Sequence, residues 1–260
     1  MKNISKLKML DPGSVREDFR QWFGTGLGRS LLASQRLAVE RCISRYFGYH
    51  QLELLVDQDH GIAENSLLGH RIVAVPKLEE EAGDGVLVCE PHELPLVSDS
   101  IDLVVLHHTL DLSPQPHQAL REACRVLRSG GHIVIVGFNP VSTWGLSKYL
   151  HRSRKAPWSG RFISAVRLED WLNLLDLQLH EVNYSFYTPP AANLRWLSRL
   201  AFLNRLGKKL KLPLGAFYII QAQKRVGGVI PLKPKWQRRA VTGNGAAVVQ
   251  FTPYRKNEKS

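Results

Sequence analysis

The run from Val86 to Asn139, VLVCEPHELPLVSDSIDLVVLHHTLDLSPQPHQALREACRVLRSGGHIVIVGFN, leaves the chain few folds to choose from. It carries three short segments of strand character, Val86–Cys89, Asp102–His107 and His132–Gly137. β-Branched residues and leucine dominate them, as in strands buried on both faces. Between the last two, residues 115–127 follow a helical period, with Leu120, Ala123, Cys124 and Leu127 at i, i+3, i+4 and i+7. Ser129-Gly130-Gly131 then supplies residues that tolerate a left-handed helix end. Strand, helix and strand with a tight return predict a right-handed parallel crossover, and so an α/β sheet.

Within this run, Glu93-Leu94-Pro95, Asp99-Ser-Ile-Asp-Leu-Val-Val105, Arg121-Glu-Ala-Cys-Arg-Val-Leu127 and Ser129-Gly-Gly-His-Ile-Val-Ile135 follow one another in a recognisable order and spacing. The run resembles the second half of the class I methyltransferases that use S-adenosylmethionine (SAM), in the type 11-like group. That resemblance implies a Rossmann-like seven-stranded sheet of order 3-2-1-4-5-7-6 with helices on both faces. It also implies SAM as cofactor and methyl transfer to an acceptor as the activity. On this reading residues 1–29 are an approach segment and 30–225 the methyltransferase-like domain. Residues 141–165 and 188–213 are cap or lid insertions, and 226–260 are a basic, largely disordered tail.

The resemblance locates candidate cofactor residues where ligands sit in open α/β sheets, beyond the carboxyl ends of the strands. The first strand, 51–56, ends in Asp57-Gln58-Asp59-His60-Gly61. The family carries an acid and a Gly-x-Gly turn there; this chain offers Asp57, with Gly61 as its one glycine. After the second strand, 71–75, the family's ribose-binding acid is replaced by Pro76 and Lys77, with Glu79, Glu80 and Glu81 further on. After the third strand Glu90 matches the acid that accepts the adenine amino group, with His92 beside it. Leu106 would form part of the cofactor wall.

His107 and His108 end the fourth strand and are the candidate general bases, because imidazole titrates near neutral pH. They point to opposite sides if the strand continues through both. Asn139 and Trp144, after the fifth strand, are candidates for the acceptor pocket. Trp22-Phe-Gly-Thr-Gly-Leu-Gly28 contains Gly-x-Gly-x-Gly, but no strand precedes it. It reads as an approach loop to a helix from about residue 30 to 47, with residues 1–21 showing no strong pattern. No metal-ligand spacing is present.

Charge divides the chain. Residues 1–140 hold 14 Lys and Arg against 18 Asp and Glu, whereas residues 141–260 hold 21 against 5. The basic half suits an anionic partner, either nucleic acid or an anionic lipid surface. A leucine-rich basic helix is expected over 193–212, as a lid, a core helix or a membrane-surface element. The three cysteines are scattered, which argues for a reducing compartment; the cytoplasm is the expected location. No apolar run reaches the ~18 residues of a spanning helix.

Three functions remain open. The first is SAM-dependent methylation of an unidentified acceptor. The second is a catalytically impaired methyltransferase fold that holds nucleic acid or an anionic membrane through its basic half. The third is a membrane-associated methyltransferase acting on a lipid or quinone-like acceptor.

Overall fold

A computed structural model describes residues 12–77, 85–151, 155–190, 201–210 and 212–226. Two helices open the described chain, α1 (Pro12–Phe23) and α2 (Gly26–Ile43). Strands β1 (His50–Leu54), β2 (His70–Val75), β3 (Val86–Val88) and β4 (Ile101–His107) follow. The short α3 (Thr109–Leu112) and then α4 (Pro116–Val126) lead into β5 (Leu127–Phe138). Helices α5 (Thr143–His151) and α6 (Ala165–Leu174), strand β6 (Leu177–Ser185), α7 (Ala201–Lys209) and β7 (Phe217–Lys224) complete the order.

The seven strands form one sheet in the order β3-β2-β1-β4-β5-β7-β6. Strands β1 to β5 pair in parallel, and β7 is inserted antiparallel between β5 and β6. This is the expected order. Its chemical consequence is that the carboxyl ends of β1 to β5 share one rim.

Strand periodicity sorts the core into two layers. On β4 and β5, Val104, Leu106, Ile133 and Ile135 face α4 and α6, where Leu120, Ala123, Leu168 and Leu172 meet them. The alternate residues Leu103, Val105, Val134 and Val136 face Phe19, Phe23, Leu31 and Val39 of α1 and α2. All seven β4 residues are buried.

Three expectations need correction. Ser129-Gly130-Gly131 does not end a helix: α4 stops at Val126 and these residues lie inside β5. Gly130 has φ +79°, and the β4–β5 register shifts between Ile101 and Leu103, so the glycines accommodate an irregular pairing. The second helix begins at Gly26 and ends at Ile43, earlier than expected at both ends. Residues 12–21, within the stretch read as patternless, and 22–23, read as part of an approach loop, are helical. The expected helix over 193–212 is described from Ala201 to Lys209. Glu79, Glu80, Glu81 and the tail from 227 onward lie outside the described residues.

Candidate active site

The carboxyl ends of β1 to β4 surround the hollow where the cofactor was expected. Leu55, Val56, Pro76, Pro91, Thr109, Leu112 and Ser113 line it, and Arg16 of α1 closes it. The space left is about 10 Å3. A nucleoside-sized ligand needs roughly 300 Å3 or more. With α1 seated, the residues present therefore do not fit SAM.

The seat of α1 is well built. Its apolar stripe, Val15, Phe19, Trp22 and Phe23, packs into the α2-side core. The Phe19 ring lies 6.1 Å from Phe138, Trp22 5.9 Å from Trp144, and Phe23 5.6 Å from His107. Phe19 and Phe23 are fully buried. The α1–α2 joint explains the glycine-rich sequence. A Cβ on Gly28 would lie 2.2 Å from the Trp22 carbonyl oxygen, so only glycine lets α1 fold back this closely. Thr25 caps α2, its hydroxyl accepting from the Gly28 amide.

Glu90 sits at the rim as expected, but its carboxylate is engaged. Arg16 Nη1 donates to Oε1 at 3.0 Å and Nη2 to Oε2 at 2.7 Å, a bidentate pair. His92 is half-buried, and its Nδ1 has no partner among the described residues.

The 57–61 turn has its own structural occupation. Asp57 is buried and caps a 3-10 turn, accepting from the amides of Asp59 and His60 at 2.9 and 3.1 Å. Its carboxylate also pairs with His60 Nδ1 at 2.6 Å. Gly61 has φ −56°, an ordinary conformation. Its lack of a side chain makes room for the Arg71 guanidinium, which would lie 2.6 Å from a Cβ. Arg71 reaches past it to buried Glu53, whose other oxygen accepts from the amides of Ile62 and Ala63. The turn that lacks Gly-x-Gly is thus held by a carboxylate network instead.

The two histidines do not diverge. Strand β4 ends at His107, and His108 adopts a left-handed backbone with φ 52°. That turn brings both rings to the α2 side, with centroids 4.8 Å apart. A non-glycine residue in this region is held there at a cost of about 1–2 kcal/mol. Gln35 bridges the rings: its Nε2 lies 2.7 Å from His108 Nε2 and its Oε1 3.0 Å from His107 Nε2. On the other side His108 Nδ1 meets Asp111 Oδ2 at 2.8 Å.

One proton assignment satisfies every contact. His108 Nδ1–H donates to Asp111, Gln35 donates to His108 Nε2, and His107 Nε2–H donates to Gln35. His107 Nδ1 is then an unprotonated buried nitrogen, and it has no partner among the described residues. Burial, with the nearby His108, His60 and Arg36, holds the His107 pKa well below the usual imidazole value. Burial pushes the Asp111 carboxyl up, although the His108 and Phe138 N–H donors pull the other way. His108 is stacked on Phe138 at 4.1 Å and is fully buried.

Asp111 escaped the sequence reading. The available signal was its spacing, three residues beyond His108 at the start of a helix, which places the two side chains on one face. Leu106, expected on the cofactor wall, is wholly inside the α4-side core. Asn139 does not face a pocket: its amide nitrogen lies within hydrogen-bond range of the carbonyls of Val141, Pro213 and Gly215, and its oxygen accepts from the Val141 amide. Trp144 is fully buried, with its indole N–H on the Thr188 carbonyl. Both are structural clamps of the segment after β5. Among the described residues no cluster of metal-ligating side chains occurs, and no helix is long and apolar enough to cross a membrane.

Comparison with known proteins agrees with this frame. Residues 70–135 match the model of the methyltransferase domain family. The chain is 32% identical over 206 residues to the uncharacterized protein YafS of Escherichia coli K12, spanning 76% of this chain and 78% of that one. Among solved structures, it resembles a Thermotoga maritima SAM-dependent methyltransferase described as a possible histamine N-methyltransferase. That likeness has TM-score 0.57 and 19% identity over 82% of this chain and 98% of the other. A chain of the Haloferax volcanii complex between the Trm112 methyltransferase activator and a methyltransferase gives TM-score 0.57 and 16% identity, covering 81% and 97%. At these identities the solved structures establish the fold.

Proposed function

Because this chain belongs to the class I SAM-dependent methyltransferases, in one family with YafS, we propose that it methylates an acceptor at the carboxyl rim of β1 to β5 once α1 has lifted. The observation that carries the reading is the position of Glu90. Its carboxylate stands at the rim, and its described side-chain partner, Arg16, comes from α1 rather than from the sheet. With Arg16 withdrawn, Glu90 is a free acceptor beside a hollow walled by Leu55, Val56, Pro76 and Pro91. An exocyclic amino group such as that of adenine offers the matching donor.

The second half of the reading assigns His108 as the proton acceptor. Its Nδ1 is anchored by Asp111, which fixes the tautomer and leaves Nε2 with the lone pair. In this structure that lone pair is taken by the Gln35 amide of α2. Gln35 therefore occupies the point an acceptor hydroxyl or ammonium would use. His107, held neutral by burial and tied to the other end of Gln35, positions the bridge. Asp57 is assigned a structural role, since its carboxylate is spent on its own turn.

Calorimetry with SAM and with its demethylated product tests the proposal, together with transfer of labelled methyl groups into a fractionated cell extract. Binding of either nucleoside, with label entering one fraction, supports it. No binding at millimolar nucleoside by wild type and by Arg16→Ala would remove the enzyme reading and leave a borrowed scaffold.

A further inference from the structure

Two grooves open side by side beyond the end of β5, and they share the walls Pro140 and Phe162. Their chemistries are opposite.

The first, about 960 Å3, runs along α5. Val141, Leu146, Tyr149 and Leu214 line it, and they are 61%, 58%, 81% and 47% exposed. Apolar side chains this bare, grouped in one concavity, mark a surface that a ligand covers. The cation in this groove, Lys148, is already committed: it donates to the Gly160 carbonyl and lies 4.4 Å over the Phe162 ring. The groove is left apolar.

The second, about 790 Å3, is cationic. Arg121, Arg161 and Arg167 line it from three separate segments. All three are exposed, and none has a carboxylate partner among the ion pairs of the described residues. The amino-terminal turns of α4 and α6 border the same cleft, adding the positive ends of two helices. Trp171 and His117, with ring centroids 3.7 Å apart, form an aromatic wall.

An apolar trough and an arginine cleft with common walls suit a molecule of the same polarity. We propose that they form one bipartite site for a single-chain amphiphile with a phosphate head, the head held by Arg121, Arg161 and Arg167 and the chain laid along Val141, Leu146 and Tyr149. Guanidinium groups match phosphate by paired hydrogen bonds, and no carboxylate stands among the described residues of the cleft wall to compete. The site deepens the methyltransferase reading, because on that reading the amphiphile is the methyl acceptor. Phe162, the shared wall, stacks on Phe138 at 4.9 Å, and Phe138 stacks on His108. Two stacked rings, Phe162 and Phe138, thus link the bipartite site to the proposed base.

The test is binding by the full chain without cofactor, so that it is independent of methyl transfer. The probe is dodecyl phosphate below its micelle concentration, with inorganic phosphate and phosphatidic acid vesicles as comparison arms. Dodecyl phosphate is expected to bind about a hundredfold more tightly than inorganic phosphate, the effect of burying three to four methylenes. Arg161→Gln with Arg167→Gln should weaken both ligands by about tenfold or more. Val141→Ser with Leu146→Ser should weaken dodecyl phosphate alone. All four side chains are exposed, and unchanged thermal unfolding checks that the variants fold.

Equal affinity for inorganic phosphate and dodecyl phosphate would overturn the apolar half. Binding that neither double variant changes, or binding to vesicles but not to the monomer, would overturn the site. So would RNA binding abolished by the arginine variant while dodecyl phosphate fails to bind. If SAM binds and the amphiphile does not, the site falls and the methyltransferase reading stands; the reverse result separates them the other way.

Discussion

Arg16 and Glu90 are joined by two parallel hydrogen bonds across 74 residues of sequence, and this pair fastens α1 over the carboxyl rim of the sheet. The Arg16 side chain is 14% exposed and that of Glu90 40%. Its contribution is therefore that of a partly screened pair, about 0.2–1 kcal/mol. The aromatic stripe behind it does most of the holding. If the rim admits a nucleoside only when α1 is away, apparent affinity scales with the open fraction. Arg16→Ala should then tighten binding of the demethylated cofactor product by about 1.4- to fivefold, the range set by such a pair. Glu90→Ala breaks the same latch and also removes the acceptor, so it should not tighten. Calorimetry on both variants decides: equal tightening would show that Glu90 does not touch the ligand.

The bridge from His107 through Gln35 to His108 makes a spectroscopic prediction. Nitrogen-15 chemical shifts should show His108 protonated on Nδ1 and His107 on Nε2, because Asp111 as a carboxylate and Gln35 Oε1 can only accept. The opposite tautomer at either ring would sink the assignment. A stability consequence follows from the depressed His107 pKa. The unfolded imidazole, near 6.5, takes a proton that the folded one refuses. Stability is therefore full above about pH 6.5 and falls as the pH drops below it, by up to about 1.4 kcal/mol per unit. Urea unfolding from pH 7.5 to 5 should show this slope, and His107→Gln should flatten it.

Asp111→Asn separates a positioning role from a packing role. The change keeps shape and volume, but an amide can turn its nitrogen toward His108 Nδ1 and favour the other tautomer. Methyl incorporation should fall by about a hundredfold or more, while cofactor affinity stays within twofold. Parallel losses in both would assign Asp111 to the fold alone. The nitrogen-15 spectrum of His108 in this variant reads the tautomer directly.

The sheet and the position of Glu90 at its rim were legible because both follow from local pattern. The run 86–139 carries its strands and helix in order, and Glu90 sits two residues beyond the end of β3. The seat of α1 was not read, although Val15, Phe19, Trp22 and Phe23 recur at i, i+4, i+7 and i+8. The nearby glycines drew attention to a loop, and one apolar stripe does not say which surface it will cover. The histidine pair lies at the end of β4, but the condition for opposed side chains, a strand continuing through both, is not met. Alternation along a strand predicts opposed side chains, and it fails where His108 leaves the strand with positive φ. Asn139 and Trp144 were misread for a related reason. Position after a strand end suggests a pocket, whereas carbonyls arriving from residues 188, 213 and 215 claim both side chains. Contacts of that range leave no trace in local spacing.

Gly28 distinguishes a lid from a permanent part of the core. Helix propensity alone predicts that Gly28→Ala would stabilise α2 by about 1 kcal/mol. The structure predicts the reverse, because the added Cβ would lie 2.2 Å from the Trp22 oxygen and 2.7 Å from the Phe23 Cα. Both are backbone atoms and cannot swing aside, so α1 must shift as a unit. The cost should be about 1–3 kcal/mol of global stability, as for other overpacked sites. Shifting α1 also withdraws Arg16 from Glu90 and opens the space Arg16 closes. The variant should therefore melt at lower temperature yet bind the demethylated cofactor product more tightly than wild type. A destabilised core would lower both quantities together. Thermal unfolding and calorimetry on the one variant give the two signs, and a loss of affinity alongside the loss of stability would mean that α1 never leaves.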